Sequence, residues 1–130
     1  MILGIGIDLC AVARMEKSLQ KPAFVARVFA PQEQAFWQDF SDKHRAESAA
    51  AAFAAKEAFL KAAGTGLGGF ALAELAVLHK PSGAPYFCFF GDAARFIEQN
   101  HLTAHLSLTH DGGLAAAYVI LEQNSAGTCD

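Results

Sequence analysis

The chain has 130 residues, a length typical of one compact domain. Hydrophobic residues make up 53% and charged residues 18%, which excludes disorder over most of the length. The net charge of −3 argues against a non-specific nucleic-acid binder. Because a domain of this size leaves much of its surface exposed, the high apolar share indicates that another copy of the chain covers part of it.

The N-terminal residues 2–9 predict a buried strand. Side chains alternate along a strand, so Gly4, Gly6 and Asp8 share one face. The two glycines leave room for another element to approach closely. Asp8 either closes this face with a carboxylate or caps a helix that begins near Ala11, and the strand itself offers no basic residue to pair with it.

The N-terminal residues and the cysteines indicate the cellular compartment of the protein. The N-terminus carries no basic leader, so we expect neither a signal peptide nor a membrane span. The three cysteines, Cys10, Cys88 and Cys129, are odd in number and fit no zinc spacing. We therefore expect reduced thiols and a cytoplasmic location.

A basic segment follows the first strand. Residues 10–30 hold four basic side chains against the single acid Glu16, a local charge of +3, so the rest of the chain sums to −6. The basic residues are Arg14, Lys17, Lys21 and Arg27. The composition predicts a helix over 11–20 that Pro22 interrupts. Such a patch on an acidic protein indicates a specific acidic partner, although a solvated helix face fits the charge equally well.

Two further helices are expected before the middle of the chain. Residues 24–29 predict a short helix or turn, and Pro31 opens another helix, since proline is tolerated in the first turn. Residues 41–45 are polar and predict a connection. A long alanine-rich helix then runs from about residue 44 to 63 and ends in a cluster of glycines.

In the second half of the chain, the hydrophobic pattern changes to the two-residue alternation that is typical of strands. Four strands are expected in two pairs, at residues 72–80 and 84–90 and at residues 104–110 and 114–122. Residues 92–100 predict a short helix with Asp92 as its N-cap. Because the helices cluster in the first half and the strands in the second, we expect a single α+β domain over residues 1–122. The long helix would pack on an antiparallel sheet, and residues 123–130 would form a flexible tail.

The long helix carries charges that a purely structural alanine helix does not need. Glu57 and Lys61 lie one turn apart and would form, at the least, a surface ion pair of about 0.3 kcal/mol. The surrounding alanines allow close packing, so a carboxylate there needs a partner. If the glycine face of the first strand meets this helix, Asp8 and Glu57 would hold one Mg²⁺, which commonly takes one or two protein carboxylates together with water and phosphate. Lys61 would then bind phosphate, helped by free backbone N–H groups of the loop 64–69.

The segment HLSLTH is the third place with candidate chemistry. His105, Ser107 and Thr109 share one strand face, and His105 would contribute to a phosphate or thioester-arm pocket. Ser107, His110 and Asp111 are the residue types of a hydrolase triad, but no nucleophile elbow surrounds the serine. Adjacent His110 and Asp111 also cannot easily orient one another, so this interpretation is weak.

In order and spacing, these motifs resemble the holo-[acyl-carrier-protein] synthase family, the short single-domain 4′-phosphopantetheinyl transferases. The matching segments are GIGIDL with Arg14 six residues beyond Asp8, then FAAKEAFLKAAGTG, the turn Gly83–Tyr86, and HLSLTH. The resemblance covers roughly residues 1–122. It departs from the family at Ala52, usually arginine, and at Ala84, usually lysine; Lys43, Arg45 or Lys80 would then substitute.

The resemblance implies a reaction and its partners. Coenzyme A is the implied donor, Mg²⁺ the implied cofactor, and a serine of apo acyl carrier protein the implied acceptor. The products are then the holo carrier and adenosine 3′,5′-bisphosphate, in support of fatty acid biosynthesis. A homotrimer with active sites at the subunit interfaces is implied as well, and neither nucleic acid nor membrane is expected as a partner.

The resemblance also implies roles for residues by motif position. Asp8 and Glu57 are the implied metal ligands, and these two with Lys61 are the implied catalytic residues. The implied coenzyme A contacts are Lys61, Gly64, Thr65, Pro85 and His105. The implied carrier contacts are Arg14, Lys17 and Lys21.

Two other classes of protein compete with an enzyme. A coenzyme A or nucleotide-binding module without catalysis would keep Lys61 and the glycine loop but would not need both acids. A structural trimer would simply pair its charges, and the polar face of HLSLTH disfavours it. The presence of both Asp8 and Glu57 favours the enzyme.

Overall fold

A computed structural model describes residues 1–66 and 68–125 as an α+β arrangement, the class expected from the sequence. The strands are β1 (Ile2–Ala11), β2 (Leu75–His79), β3 (Pro85–Phe89), β4 (Leu102–Asp111) and β5 (Leu114–Gln123). The helices are α1 (Val12–Ser18), α2 (Pro22–Val28), α3 (Pro31–Phe36), α4 (Asp42–Ala63) and α5 (Gly91–Gln99). A short 3₁₀ turn at Leu72–Glu74 precedes β2.

Two antiparallel sheets form from these strands. The larger sheet has the order β1–β5–β4, and β2 pairs with β3 in a separate hairpin. In the larger sheet β5 is central, so that Ala117 lies between Asp8 of β1 and Leu108 of β4. β4 and β5 are joined through the tight turn at Gly112 and Gly113, both with positive φ, as expected for a two-residue hairpin loop.

The contact between β1 and α4 is unusually close. A Cβ placed on Gly4 would lie 1.9 Å from the carbonyl oxygen of Ala62, and one on Gly6 would lie 1.9 Å from that of Ala58. No side chain fits in this space, so the glycine face of β1 rests directly on the backbone of α4. The predicted close approach of another element to this strand is therefore confirmed.

The core surrounds α4, whose buried residues are mostly alanines. One charge lies within it: Lys56 is fully buried and its Nζ donates to Glu33 Oε1 at 2.8 Å. The same ammonium donates to the carbonyls of Leu72 and Leu75, both at 2.9 Å. Glu33 in turn accepts from the backbone N–H of Val77 at 3.0 Å. This pair, which the sequence analysis did not identify, links α3, α4 and the start of β2.

Two expectations about helix ends are wrong, and one of the two alternatives for Asp8 is excluded. α4 begins at Asp42, where Ser41 caps it by accepting from the His44 N–H at 3.1 Å, so residues 41–45 are not a connection. Asp92 does not cap α5, because Phe90 occupies that position and Asp92 pairs with Arg95 one turn away. Asp8 does not cap α1 either, because Ala11 is the N-cap residue and receives no side-chain hydrogen bond.

The last strand ends one residue later than the expected end of the domain at residue 122. β5 extends to Gln123, whose backbone N–H donates to the carbonyl of Met1 at 2.7 Å. The expected tail at 123–130 therefore begins inside the strand, and its last part, residues 126–130, lies outside the described residues.

Gly6→Ala should destabilise the protein, because the added methyl must push β1 away from the Ala58 carbonyl. We expect a loss of about 2 kcal/mol or more in the free energy of unfolding, the cost of overpacking a dense contact. Urea denaturation measures it, with Ser107→Ala on the exposed side of the sheet as a control that should stay near the wild type. Unchanged stability in Gly6→Ala would show that the contact is not a constraint.

Candidate active site

The close β1–α4 contact brings Asp8 and Lys61 together. Lys61 Nζ lies 3.0 Å from Asp8 Oδ1 and also donates to the carbonyl of Ile7 at 2.9 Å. The Asp8 side chain is 22% exposed and that of Lys61 56% exposed, so the pair lies at the surface. Asp8 thus has a cation, although not from its own strand. The alternative pairing of Lys61 with Glu57 along the helix is not the one that the structure adopts.

The charges of Asp8 and Lys61 both act on the nearby carboxylate of Glu57. Partial burial raises the pKa of Glu57, the negative charge of Asp8 raises it further, and Lys61 opposes both effects. Asp8 and Glu57 are therefore near enough for their charges to interact, and the ammonium of Lys61 acts on both. Such a cluster of oxygen donors with excess negative charge favours a hard cation.

The glycine loop after α4 differs from the expectation. Gly64 caps the helix with φ of 77°, and its N–H donates to the Lys61 carbonyl at 3.1 Å. The N–H groups of Thr65 and Gly66 both donate to the Leu60 carbonyl, at 3.2 and 3.4 Å. These N–H groups are not free to contact phosphate, so the prediction of a backbone phosphate cradle is wrong for residues 64–66. Lys61 itself stands in the last helical turn, where the helix end is negative.

The basic helix α1 brings one of its residues, Arg14, near the carboxylates. Burial raises the pKa of the Cys10 thiol, Arg14 opposes the rise through its charge and a hydrogen bond, and the Asp8 and Glu57 charges add to it. Arg14 therefore lies close to the Cys10 thiol. Lys17 is exposed on α1, and Lys21 is exposed at the N-terminus of α2. Arg14 thus lies near the site, whereas Lys17 lines a groove with Asp42 and Arg45 at the start of α4.

His105 and Pro85 lie apart from Asp8: His105 is three residues along β4 from the position in line with Asp8, and Pro85 belongs to the separate β2–β3 hairpin. His105 sits opposite Ile120 on β4, exposed, with Nε2 3.0 Å from Glu122 Oε1. Pro85 begins β3 directly opposite His79. Ser107 and His110 point to opposite faces of β4, so the hydrolase triad does not form.

A histidine cavity of about 190 Å³ lies between α4, the end of β2 and the end of β4. The residues lining it are His44, Glu47, Ser48, Ala51, His79, Leu108, Thr109 and His110. Nothing in the spacing of the three histidines along the sequence predicted this cluster, because it depends on how the hairpin β2–β3 packs beside α4. At 100° per residue, its α4 positions lie roughly a third of a turn from Glu57 and Lys61.

The other face of the larger sheet is apolar and exposed. Leu3, Ile5, Ile7 and Leu9 of β1 are between 46% and 59% exposed, and Tyr118 of β5 lies beside them at 42%. We call these residues the outer sheet face. An uncovered row of large aliphatic side chains on a strand is typical of an interface.

The residues of the carboxylate pair fit a magnesium ion. Asp8 and Glu57 offer only oxygen donors, and burial together with the negative charge of Asp8 raises the pKa of Glu57. Among residues 1–66 and 68–125 no group of three or more His, Cys, Asp or Glu side chains could hold a metal. An ion at the pair would therefore take its other ligands from water and substrate, as magnesium commonly does.

Comparison with known proteins decides the family. Residues 4–119 match the family model of the 4′-phosphopantetheinyl transferase superfamily. The chain belongs to this superfamily. It is 48% identical to the holo-[acyl-carrier-protein] synthase of Trichlorobacter lovleyi over 126 residues, covering 94% of this chain and 98% of that one. The enzyme of the same name from Treponema denticola is 44% identical, with 94% and 99% covered.

Solved structures agree with the sequence relatives. The holo-(acyl-carrier-protein) synthase of Bacillus anthracis, in complex with CoA (3′,5′-ADP), superposes with a TM-score of 0.82 at 32% identity, covering 95% of this chain and 99% of that one. The Helicobacter pylori synthase in complex with coenzyme A gives 0.75 at 29%, covering 91% and 99%. The family that the motifs predicted is confirmed.

Glu57→Gln should raise the melting temperature of the metal-free protein at neutral pH. Glu57 has a folded pKa above its unfolded value, so its ionisation disfavours the fold; that cost is absent below the unfolded pKa and grows as pH rises through the folded pKa. The gain should therefore vanish in acid, below about pH 4. Thermal unfolding at both pH values in chelator measures it, with exposed Glu98→Gln as the control. A lower melting temperature at neutral pH would contradict the repulsion.

Proposed function

We propose that this protein transfers 4′-phosphopantetheine from coenzyme A to a serine of apo acyl carrier protein, releasing the holo carrier and adenosine 3′,5′-bisphosphate. The observation that carries the proposal is the meeting of Asp8, Glu57 and Lys61 at the β1–α4 contact of a chain related to holo-[acyl-carrier-protein] synthases. We further propose that it acts in the cytoplasm and serves fatty acid biosynthesis. No helix of the described residues is long and apolar enough to cross a membrane.

The roles of the three residues follow from their charges. Asp8 and Glu57 would hold Mg²⁺, which when bound offsets negative charge on the phosphoryl oxygens. Lys61 would exchange its bond to Asp8 for one to a phosphate oxygen. The carrier serine Oγ bonds to the β-phosphorus while the bond to the bridging oxygen breaks. The electron pair leaves with adenosine 3′,5′-bisphosphate, and the serine proton passes to solvent or to a carboxylate of the site.

We assign the remaining coenzyme A contacts by motif position. Gly64 and Thr65 lie three and four residues after Lys61, at the end of the same helix, and the Thr65 side chain is exposed, so they would contact the phosphate that Lys61 would hold. Pro85 and His105 would contact more distant parts of coenzyme A, since Pro85 lies in the separate β2–β3 hairpin and His105 lies three residues along β4 from Leu108, which is in line with Asp8. A module that only binds coenzyme A remains the second candidate, and it would not need Glu57.

The decisive experiment is mass spectrometry of apo carrier protein after incubation with this protein, coenzyme A and Mg²⁺. We expect an adduct of one phosphopantetheine. Asp8→Asn and Glu57→Gln should each lower turnover by about 100-fold or more, because each removes a charge that stabilises the transferring phosphoryl group. The stabilising effect of Mg²⁺ on the melting temperature should weaken in the same variants.

Glu98→Gln, a substitution of the same kind on α5, should leave turnover and the response to Mg²⁺ unchanged. A fully active, Mg²⁺-responsive Glu57→Gln protein would end the metal-site proposal. Coenzyme A binding without any adduct would instead favour the binding module.

We propose that Arg14, Lys17 and Lys21 bind the acidic carrier protein. They are exposed on α1 and at the start of α2, Arg14 lies near the carboxylate pair, and their charge is opposite to that of the whole chain. Complementary charge mainly accelerates and orients docking. The carrier serine would thus arrive at the edge where its phosphate donor is held.

Arg14→Glu should raise KM for the carrier protein about tenfold or more and change KM for coenzyme A less. Steady-state kinetics with each substrate varied in turn measures both constants, and wild-type turnover should fall as salt rises. Arg95→Glu, an equal change of charge on α5, is the control. An unchanged carrier KM in Arg14→Glu would move the docking surface elsewhere.

We propose that the protein is a homotrimer with active sites at the subunit interfaces. The outer sheet face supports association, because its aliphatic side chains are too exposed for an isolated chain. Its three-fold symmetry is what the family resemblance implies. Cyclic closure buries each copy of such a surface without leaving a free edge.

Ile5→Asp at the centre of the outer sheet face should break the assembly, because it would bury an unpaired charge in each interface. Sedimentation equilibrium at micromolar concentration should give a trimer for the wild type and a monomer for Ile5→Asp. Ala13→Asp on the exposed part of α1 should leave the trimer intact. A monomeric wild type would refute the assembly.

A further inference from the structure

The buried pair of Lys56 and Glu33 has no part in any of the roles above. Lys56 immediately precedes Glu57 on α4, and its side chain is fully buried. Lysine is among the residues that are least often fully buried, because removing an ammonium from water is costly. A fully buried lysine next to a proposed metal ligand therefore calls for a physical explanation.

The hydrogen bonds of the pair are complete. The Lys56 ammonium has three N–H groups, which reach Glu33 Oε1 at 2.8 Å and two main-chain carbonyls around the start of β2, both at 2.9 Å. Besides this ammonium, the Glu33 carboxylate accepts the backbone N–H of Ala30 at 2.9 Å and that of Val77 at 3.0 Å. A buried polar network that is fully satisfied is rigid and specifies one arrangement of the elements that it joins.

The helix that carries Lys56 is otherwise held by small side chains. All but three of the buried residues of α4 are alanines, and the exceptions are Lys56, Phe59 and Leu60. Alanine projects little from a helix, so it forms only shallow ridges for neighbouring elements to lock against. Where β1 rests on α4, the strand presents Gly4 and Gly6 and therefore no side chain. This contact sets how closely the strand approaches, but it resists rotation of the helix about its axis only weakly.

Lys56 supplies the directional restraint that these smooth contacts lack. Its partners belong to α3 and to the start of β2, which lie outside the larger sheet that holds Asp8. Side chains reach about 5 Å from a helix axis, so rotating α4 by about 20° would move the Lys56 ammonium and the Glu57 carboxylate by about 2 Å each. Such a movement breaks hydrogen bonds, which tolerate only about 0.3 Å. The restraint on Lys56 is therefore also a restraint on Glu57.

We propose that Lys56 is a positioning residue for the transfer reaction: bound by Glu33, it fixes the rotation of α4 and thereby holds the Glu57 carboxylate where it and Asp8 can share one Mg²⁺. The inference rests on the proposed function. The Lys56 ammonium itself is occupied by protein acceptors in the core, so it acts through Glu57 and not on the substrates. We therefore expect it to affect turnover and not the binding of the carrier protein.

The kinetic test is a double-mutant cycle between Lys56 and Glu57. Lys56→Met, which has a similar length but no donor, should lower turnover by about tenfold to 100-fold, as expected when a reacting group is misplaced by about 1 Å. In the Glu57→Gln background the same change should lower turnover less than about threefold, because the carboxylate that Lys56 positions is already absent. The Michaelis constant for the carrier should stay within about twofold of the wild type. Effects of the two substitutions that simply multiply overturn the inference.

A second variant separates positioning from stability. Lys56→Met leaves Glu33 buried without a cation, whereas Glu33→Gln/Lys56→Met leaves no uncompensated charge, and neutral replacement of a whole buried pair is often harmless to stability. Fluorescence of Trp37, the single tryptophan, reports whether this core is intact, because its ring packs 4.7 Å from that of Phe29, over which the Lys56 ammonium lies. We expect the double variant to fold and to lose turnover as Lys56→Met does. A folded double variant with the turnover of the wild type overturns the inference.

Leu102→Ala is the matched control for general loosening of the core. Leu102 is buried at the start of β4, six residues along the strand from Leu108, which is in line with Asp8. Its truncation destabilises the protein by leaving a cavity. Turnover of the folded protein should nevertheless stay within about twofold of the wild type, and the effect should multiply with that of Glu57→Gln. A loss of turnover in Leu102→Ala as large as that in Lys56→Met would assign the effect to core loosening and overturn the inference.

A stability measurement decides the inference without transfer or metal. Glu57→Gln is expected to raise the melting temperature in chelator at neutral pH, because it removes repulsion from Asp8. If Lys56 holds Glu57 toward Asp8, this gain should shrink when Glu57→Gln is added to Glu33→Gln/Lys56→Met. The same change of melting temperature in both backgrounds overturns the inference, whether or not transfer is observed. Absence of transfer by the wild type refutes the proposed function instead.

Discussion

The candidate site depends on one contact, the glycine face of β1 against the backbone of α4. With any larger residue at Gly4 or Gly6 the strand would have to move away, because a Cβ there would lie 1.9 Å from a helix carbonyl. Asp8 follows two residues after Gly6 on the same face, while Glu57 and Lys61 directly precede Ala58 and Ala62, the two helix residues that the glycines approach. The distance between the strand and the helix therefore sets the distance between the charges.

A second constraint fixes how α4 is placed about its axis. Lys56, adjacent to Glu57, is held in the core by Glu33 and by two carbonyls that lead into β2. Removing one partner of such a buried pair costs about 3–5 kcal/mol, since the other charge is left without compensation. The pair therefore opposes rotation of α4, and so helps to keep Glu57 directed toward Asp8.

The sequence predicted the parts of this arrangement that follow from local pattern. Alternation along β1 placed Gly4, Gly6 and Asp8 on one face, and the alanines of α4 indicated close packing beside Glu57. The partners of buried charges could not be predicted in this way, because Glu33 lies 23 residues before Lys56 and only the packing of α3 brings them together. The histidine cavity was missed for the same reason, since its rings come from three elements distant in the chain. The loop N–H groups were misjudged because the last carbonyls of α4 compete for them.

The structure also gives the charge state from which the proposed reaction would begin. Lys61 neutralises Asp8 and is held by the Ile7 carbonyl, whereas Glu57 is left beside them with a raised pKa. The three side chains together carry a charge close to −1 when Glu57 is ionised, so the site attracts a cation more than a bare phosphate. A cation that takes over Asp8 would release the Lys61 ammonium, which is 56% exposed and already at the surface. Phosphate binding by Lys61 and occupation of the carboxylate pair would then favour each other, because each removes a charge that otherwise opposes the other.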